Sequence, residues 1–222
     1  LLAFEEAELE DDPEAQRAKL TFVIVGGGPT GVELAGALRE IAARTIPSDY
    51  RRVDTSTARI ILMEGLDRLL PGMSEEASAR ALSQLRGMGV EVRLGTFVTN
   101  LDEVHVHLGE ERVPAANIVW AAGVKGSPLA RSLGVELDRA GRVLVESDCS
   151  VPGHPRAFVI GDLAAMEDPE TGAPVPGVAQ GAIQMGAFVG DLIREALAEG
   201  EPPEIRRPFH YVDKGTMATI GR

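Results

Sequence analysis

The chain has 222 residues, enough for one large domain or two small ones. Its apolar fraction of 44% and charged fraction of 25% are those of an ordinary soluble globular protein. A net charge of −12 argues against nucleic acid or an anionic membrane as a direct partner, and requires that any anionic ligand be held by local N–H groups and pocket shape.

Cys149 is the single cysteine, which excludes an internal disulfide, a thiolate zinc site and a redox C-x-x-C pair within these residues and suits a reduced cytoplasmic compartment. No signal peptide is visible, and no apolar stretch approaches the length that spans a bilayer. The chain starts at Leu1 and stops at Arg222 straight after a strand-like run, so both ends read as cuts in a longer protein.

In chain order, Leu1 to Leu20 is acidic and helical in pattern. Asp12-Pro13-Glu14 starts its second half with a capping side chain, a proline in the first helical position and an acid in the first turn. This stretch is predicted to be a solvated surface helix leading into the first strand. Phe22 to Val25 is short, apolar and β-branched, which suits a strand buried on both faces. It breaks into Gly26-Gly27-Gly28-Pro29-Thr30-Gly31, a match to G-x-G-x-x-G. From Val32 onward Leu34, Leu38 and Ile41 recur at helical spacing, leaving Arg39 and Glu40 for solvent. Strand, glycine turn and helix are the setting of a Rossmann-like dinucleotide site. Gly26 makes the tight turn, Gly28 leaves room for a pyrophosphate, and Gly31 lets helix and strand pack closely. The new helix then aims free N–H groups and its dipole at the phosphates.

Pro47 to Thr57 is a polar connector before a second buried strand, Arg59 to Met63, which ends at Glu64. An acid at that point is where such a unit holds the adenosine ribose hydroxyls. No arginine follows it directly and a 2′-phosphate would meet a carboxylate, so NADH is favoured over NADPH. Ser74 caps a helix from Glu75 to Met88 that ends at Gly89. A third strand covers Val90 to Leu94, and Phe97 to Val113 alternates as a small antiparallel excursion. His105 and His107 fall there at period two with no third ligand nearby, so a solvated strand face is expected rather than a metal site. Asn117 to Ala121 reads as another buried strand, closing with the small residues Ala122-Gly123, which leave room for a nucleotide. Further on, Leu133 to Val145 reads as a hairpin-like pair around Asp138–Arg142, and Ala157 to Asp162 as a buried strand ending in an acid. A helix is predicted from Val178 to about Leu197, with Gln180 and Gln184 on one face near its start and Pro202-Pro203 ending it. Phe209 to Ile220 reads as two short strands.

Taken together, these motifs resemble the type II NADH dehydrogenases, single-subunit NADH:quinone oxidoreductases of the two-dinucleotide-binding flavoprotein superfamily. GGGPTGVELAG at Gly26 to Gly36 is similar to the family's NADH loop, VWAAGV at Val119 to Val124 to its segment between domains, and VPGHPRAFVIGD at Val151 to Asp162 to the second flavin signature. VPGVAQGAIQMG at Val175 to Gly186 and FHYVDKGTMATIGR at Phe209 to Arg222 are similar to its glutamine helix and to the strands near its quinone site.

The resemblance implies an α/β fold with connecting helices in 1–19, a Rossmann-like NADH-binding domain with a parallel sheet in 20–124, and the trailing part of an FAD-binding domain in 125–222. It implies NADH held by Gly26, Gly27, Gly28, Pro29, Thr30, Gly31, Glu64, Ala122 and Gly123, and FAD held by Gly161, Asp162, Ala179 and Gln180. Glu33 would position nicotinamide against flavin. Gln180, Gln184 and Lys214 would face a quinone. The family's other flavin glycine loop and its C-terminal membrane segment are not found in these residues. The full-length protein is therefore expected on the cytoplasmic face of the inner membrane through a segment absent here, and a homodimer is compatible with this. Two alternatives stay open: another reductase of the superfamily acting on ferredoxin, disulfide or sulfide, and a non-catalytic NADH-binding module.

Overall fold

The computed structural model describes residues 1–199 and 206–221. The chain divides into two units, Leu1–Gly123 with Thr216–Arg222, and Val124–Gly215.

The first unit opens with α1 (Leu2–Glu8) and α2 (Pro13–Lys19). The Asp12 carboxylate caps α2 by accepting from the Glu14 N–H at 3.0 Å. The solvated helix expected over 1–20 is corrected in its first half. Phe4 and Ala7 are buried, and the Phe4 ring centroid lies 5.3 Å from that of Phe22. The two apolar residues share one helical face, and packing that face on the sheet outweighs the acids on the others. The Glu8 carboxylate, in turn, accepts from the N–H groups of Arg51, Arg52 and Val53 and pins the polar connector.

Next come β1 (Thr21–Val25), α3 (Pro29–Glu40), β2 (Arg59–Met63), α4 (Glu75–Met88) and β3 (Glu91–Arg93). Three short strands follow, β4 (Asn100–Leu101), β5 (His105–Leu108) and β6 (Glu111–Pro114), and then β7 (Asn117–Trp120). The main sheet is parallel, in the order β3-β2-β1-β7, while β4-β5-β6 form a separate antiparallel sheet. Both faces of β1 and β2 are covered. Phe22, Ile24, Ile60 and Leu62 pack in the cluster that includes Val32 and Ala35 of α3 and Ala81 and Leu85 of α4. Val23, Val25, Ile61 and Met63 pack instead against Val106 and Val113 of the small sheet. Each fully buried side chain of this size contributes about 1.5–3 kcal/mol. That explains why the two strands read as continuous apolar runs.

Two expectations for this unit are corrected. The strand expected to be buried at Asn117 to Ala121 is an edge strand that pairs only with β1, and Trp120 is 55% exposed. Arg39, assigned to solvent, donates to the carbonyls of Met88 and Ser56 at 2.9 and 2.8 Å, because the ends of α4 and of the connector leave carbonyls without helical partners.

The second unit contains α5 (Leu129–Ser132), β8 (Val143–Leu144), β9 (Ser150–Val151), β10 (His154–Phe158), β11 (Ala164–Ala165) and α6 (Ala179–Glu199). The hairpin expected at 133–145 is reduced to one antiparallel bridge, Leu137 to Val143. Its turn is nevertheless tight, since the Asp138 carboxylate accepts from the N–H groups of Ala140 and Arg142. The buried strand expected at 157–162 is not formed. β10 stops at Phe158, pairs only with β9 and is exposed over most of its length, since a two-stranded ribbon has no layer to bury it. The short strands expected over 209–220 are also absent, and the Pro202-Pro203 helix stop lies outside the described residues.

The reason for the missing strands is visible in the hydrogen bonds. Tyr211 N–H donates to Asp168 Oδ2 at 2.9 Å, and Gln184 both donates to the Val212 carbonyl and accepts from its N–H, each at 2.9 Å. In the first unit, Thr219 N–H donates to Glu33 Oε1 at 2.9 Å and Gln84 donates to the Ile220 carbonyl at 2.7 Å. Side chains thus take the main-chain groups that a partner strand would have used. The Thr219 and Ile220 bonds, with Ala218 and Ile220 packed on the first core, go with the grouping of the segment from Thr216 onward in the first unit.

Asp168 carries a pH dependence. The Tyr211 N–H, then those of Thr171 and Glu170, hold its carboxyl below the ordinary 3.8, at about 2. A depressed folded-state value means that its stabilisation is complete above the ordinary value and is lost as pH falls from there toward about 2. Protection of the Tyr211 amide from exchange, taken relative to the intrinsic rate at each pH, is expected to fall across that window. Protection that stays constant there would remove Asp168 as the anchor.

Candidate functional site

The glycine turn sits where β1 gives way to α3. Gly26 has φ +114°, and a Cβ on it would lie 2.7 Å from main-chain atoms of Ala121 and Ala122. A Cβ on Gly31 would run into the Gly26 carbonyl, and one on Gly27 would meet Leu69 at 2.6 Å and Glu64 at 2.9 Å. Gly28 differs. It is the N-cap of α3 at φ −71°, and nothing lies within 4 Å of where its Cβ would be. Three glycines are therefore required by packing, and the fourth faces open space at the start of a helix. Pro29 and Thr30 are exposed in the first turn.

Glu64 follows β2 and is fixed at both oxygens. Oε2 accepts from Gly27 N–H at 2.5 Å, and Oε1 from Leu66 N–H at 2.8 Å. The carboxylate braces the glycine turn while bordering a crevice of about 380 Å³. That crevice is lined by Val25, Gly26, Gly28, Met63, Glu64, Gly65, Thr96, Phe97, Val98, Trp120, Ala121, Ala122 and Gly123. It lies at the carboxyl ends of the parallel strands, where ligands bind in open α/β sheets. A larger cleft of about 660 Å³, bordered by Arg17, Arg59 and His105, lies at the starts of β1 and β2 and has no glycine turn.

Sequence reasoning missed Thr96, Phe97 and Val98 in this crevice. The signal was available, because the loop after every parallel strand reaches the same end of the sheet, and these residues follow β3. Glu33, just past the first turn of α3, is exposed and does not line the crevice; its Oε1 accepts from Thr219 N–H.

In the second unit Gly161, at φ +66°, lies under α6, where a Cβ would sit 3.0 Å from that of Ala182. The exposed Asp162 places Oδ1 3.8 Å from where a Cβ of Gly177 would be, beside the start of α6. Ala179 and Gln180 are exposed in that helix's first turn. Gln180 makes no side-chain hydrogen bond among the described residues, and the exposed Lys214 makes no ion pair among them.

Gln184 departs from expectation, since both ends of its amide are committed to Val212. Removing two such bonds costs about 1–3 kcal/mol. Gln184→Ala is therefore expected to lower thermal stability, which a melting curve reads. An unchanged melting temperature with a raised KM for quinone would return the residue to ligand binding.

His105 and His107 are not simply solvated. They share the Asp102 carboxylate, at 3.3 and 2.7 Å, and the His107 bond, with main-chain N–H groups, holds that carboxyl below its usual range. Cys149 is fully buried, and burial pushes its thiol up to about 12, so it is not a reactive thiolate at neutral pH.

The family model described as Pyridine nucleotide-disulphide oxidoreductase matches residues 3–186. The type II NADH:quinone oxidoreductase Ndh of Mycobacterium tuberculosis is 46% identical over 100% of this chain and 48% of its own length. The type II NADH:quinone oxidoreductase of Staphylococcus saprophyticus is 33% identical over 91% of this chain and 50% of its own length. The chain thus spans about half the length of the curated relatives it matches. Among solved structures, NDH2 from Plasmodium falciparum in complex with NADH aligns over 99% of this chain and 60% of that chain, with a TM-score of 0.85 at 16% identity, a likeness of fold. The resemblance to type II enzymes expected from the motifs is borne out.

Proposed function

Because the chain belongs to the pyridine nucleotide-disulphide oxidoreductase family, we propose that the protein it represents is an NADH-dependent flavoprotein that reduces a quinone. The observation that carries the NADH half is Gly28, open to solvent at the start of α3 beside a crevice bordered by a fixed carboxylate. The quinone half rests on the names of the relatives, which share up to 46% of their aligned residues with this chain.

The residues fit the two groups the reading needs. The turn at Gly26–Gly31 and the first N–H groups of α3 would hold a diphosphate, with the missing Gly28 side chain allowing its approach. Glu64, already immobilised, would accept from ribose hydroxyls and meet a 2′-phosphate with like charge, which favours NADH. Asp162 would accept from the hydroxylated chain of FAD, and the start of α6 would offer the positive end of its dipole to the flavin ring. Held there, FAD would supply the redox chemistry between NADH and a quinone, as a two-electron acceptor and donor. The protein's part is to stack, orient and tune charge. Gln180 and Lys214 would face the quinone. Because such quinones are lipid-soluble, a peripheral position at the cytoplasmic face of the inner membrane belongs to the same proposal.

A rival disulfide or sulfide reductase would need a reactive thiol; within these residues Cys149 is buried, and burial pushes its thiol up to about 12. That rival would draw its thiols from sequence upstream of Leu1, which decides between the two. The test is NADH oxidation by the full-length flavoprotein with a soluble quinone as acceptor. A flavin that NADH reduces but quinone never reoxidises would remove the quinone half. The 222-residue chain itself is read as an NADH-binding module, since the whole crevice falls within its first unit. It is expected to bind NADH with little FAD. Purification with stoichiometric flavin would contradict that.

A further inference from the structure

Phe97 is the most exposed aromatic side chain bordering the crevice, at 70%. Leaving a ring of that size in water forfeits hydrophobic stabilisation, so its position needs a reason. The loop that carries it is held firmly. Thr96 N–H donates to the Glu64 carbonyl at 2.9 Å and Gly95 N–H to that of Leu66 at 2.8 Å, which ties the loop after β3 to the loop after β2. The ring rests on Gly65, where a Cβ would lie 2.6, 3.0 and 3.1 Å from three of its atoms. Gly65, like Gly28, is thus a glycine whose missing side chain has a use, here to seat a ring.

The sheet order supplies the direction. The segments that follow its strands, in the order β3-β2-β1-β7, bring Phe97 (four residues past the end of β3), Glu64, the glycine turn and Ala122-Gly123 to the crevice. Neighbouring strands lie about 4.8 Å apart. A dinucleotide laid across these ends with its diphosphate on the glycine turn and its adenosine ribose on Glu64 reaches the β3 end with its base. The group waiting there is a flat, exposed ring.

We propose that Phe97, seated on Gly65, is the platform on which the adenine of the dinucleotide stacks, and that it makes binding depend on the adenosine half. This rests on reading the crevice as the NADH site. Base–aromatic stacking is tolerant of base identity but requires a ring, so the platform separates ligands with adenine from those without it.

The experiment uses the 222-residue chain and the fluorescence of its one tryptophan, Trp120, which borders the same crevice and is left unchanged. NADH, ADP-ribose and reduced nicotinamide mononucleotide are titrated against the protein and its variants, with melting curves as a check on folding. Phe97→Ala is expected to weaken NADH and ADP-ribose about tenfold, leaving the mononucleotide, which has no adenine, unchanged. Phe97→Tyr keeps the ring and is expected to bind as the parent does. Gly65→Ala pushes the ring off its seat and should reproduce much of the loss. If it acts only through the ring, combining it with Phe97→Ala adds nothing further. If the unaltered protein shows no saturable NADH or ADP-ribose binding, the dinucleotide reading falls and the platform with it. If it binds them but Phe97→Ala weakens all three ligands equally, or none, the platform alone is overturned.

Discussion

Gly28→Val is expected to reduce NADH affinity about ten- to hundredfold, the effect of about 1–3 kcal/mol of steric conflict, while the protein stays folded. The backbone at Gly28, with φ −71° and ψ −178°, is one any residue adopts, and its Cβ direction is empty. The cost to the fold is limited to a poorer helix cap, about 1 kcal/mol. Gly31→Ala is the opposite case. Its Cβ would drive into the Gly26 carbonyl, so β1 and α3 must separate, and a stability loss of about 3 kcal/mol is expected. The two glycines occupy fixed places in one motif, yet one answers to the ligand and the other to the fold. Melting curves and NADH titrations on both variants check this. If Gly28→Val binds NADH as the parent does, no diphosphate lies on this turn.

Which parts of the structure were legible depends on how local their causes are. The helix at Glu75–Met88 has the bounds the sequence implies, because the Ser74 side chain accepts from Ala77 N–H and Gly89 takes φ +90°, both signals within a turn of its ends. β1 and β2 were legible because both faces are covered, so every residue after the first of each strand is apolar. β7 has the same composition but lies at the sheet edge, and composition alone does not tell an edge from a centre. The segment 209–220 was misread for a related reason. Its main-chain partners are the side chains of Asp168, Gln184, Glu33 and Gln84, and no local pattern announces a side chain from elsewhere as a substitute for a strand. The site divides along the same line. Gly26, Gly28, Gly31 and Glu64 could be read from one motif and one strand end, whereas Phe97 belongs to the crevice only because β3 is parallel to β2.

Glu64→Gln is expected to lower NADH affinity about tenfold or more and to destabilise the protein by about 2 kcal/mol, two effects of one carboxylate. Its oxygens accept from Gly27 and Leu66 N–H groups at 2.5 and 2.8 Å, bonds strengthened by the negative charge. Glutamine keeps one acceptor but turns an NH2 group toward the other N–H, so donor meets donor in a partly buried place. Glu64→Asp keeps the charge but is a methylene shorter and is not expected to span both amides. The ratio of NADH to NADPH affinity separates the two roles. Relief of charge repulsion alone would let NADPH bind more tightly in Glu64→Gln. Slackening of the glycine turn weakens both coenzymes, because the diphosphate they share rests on the amides that Glu64 braces. NADH is therefore expected to lose affinity, while NADPH gains little from the removed charge. A Glu64→Gln protein with unchanged melting temperature and unchanged NADH affinity would show that this carboxylate neither braces the turn nor touches the coenzyme.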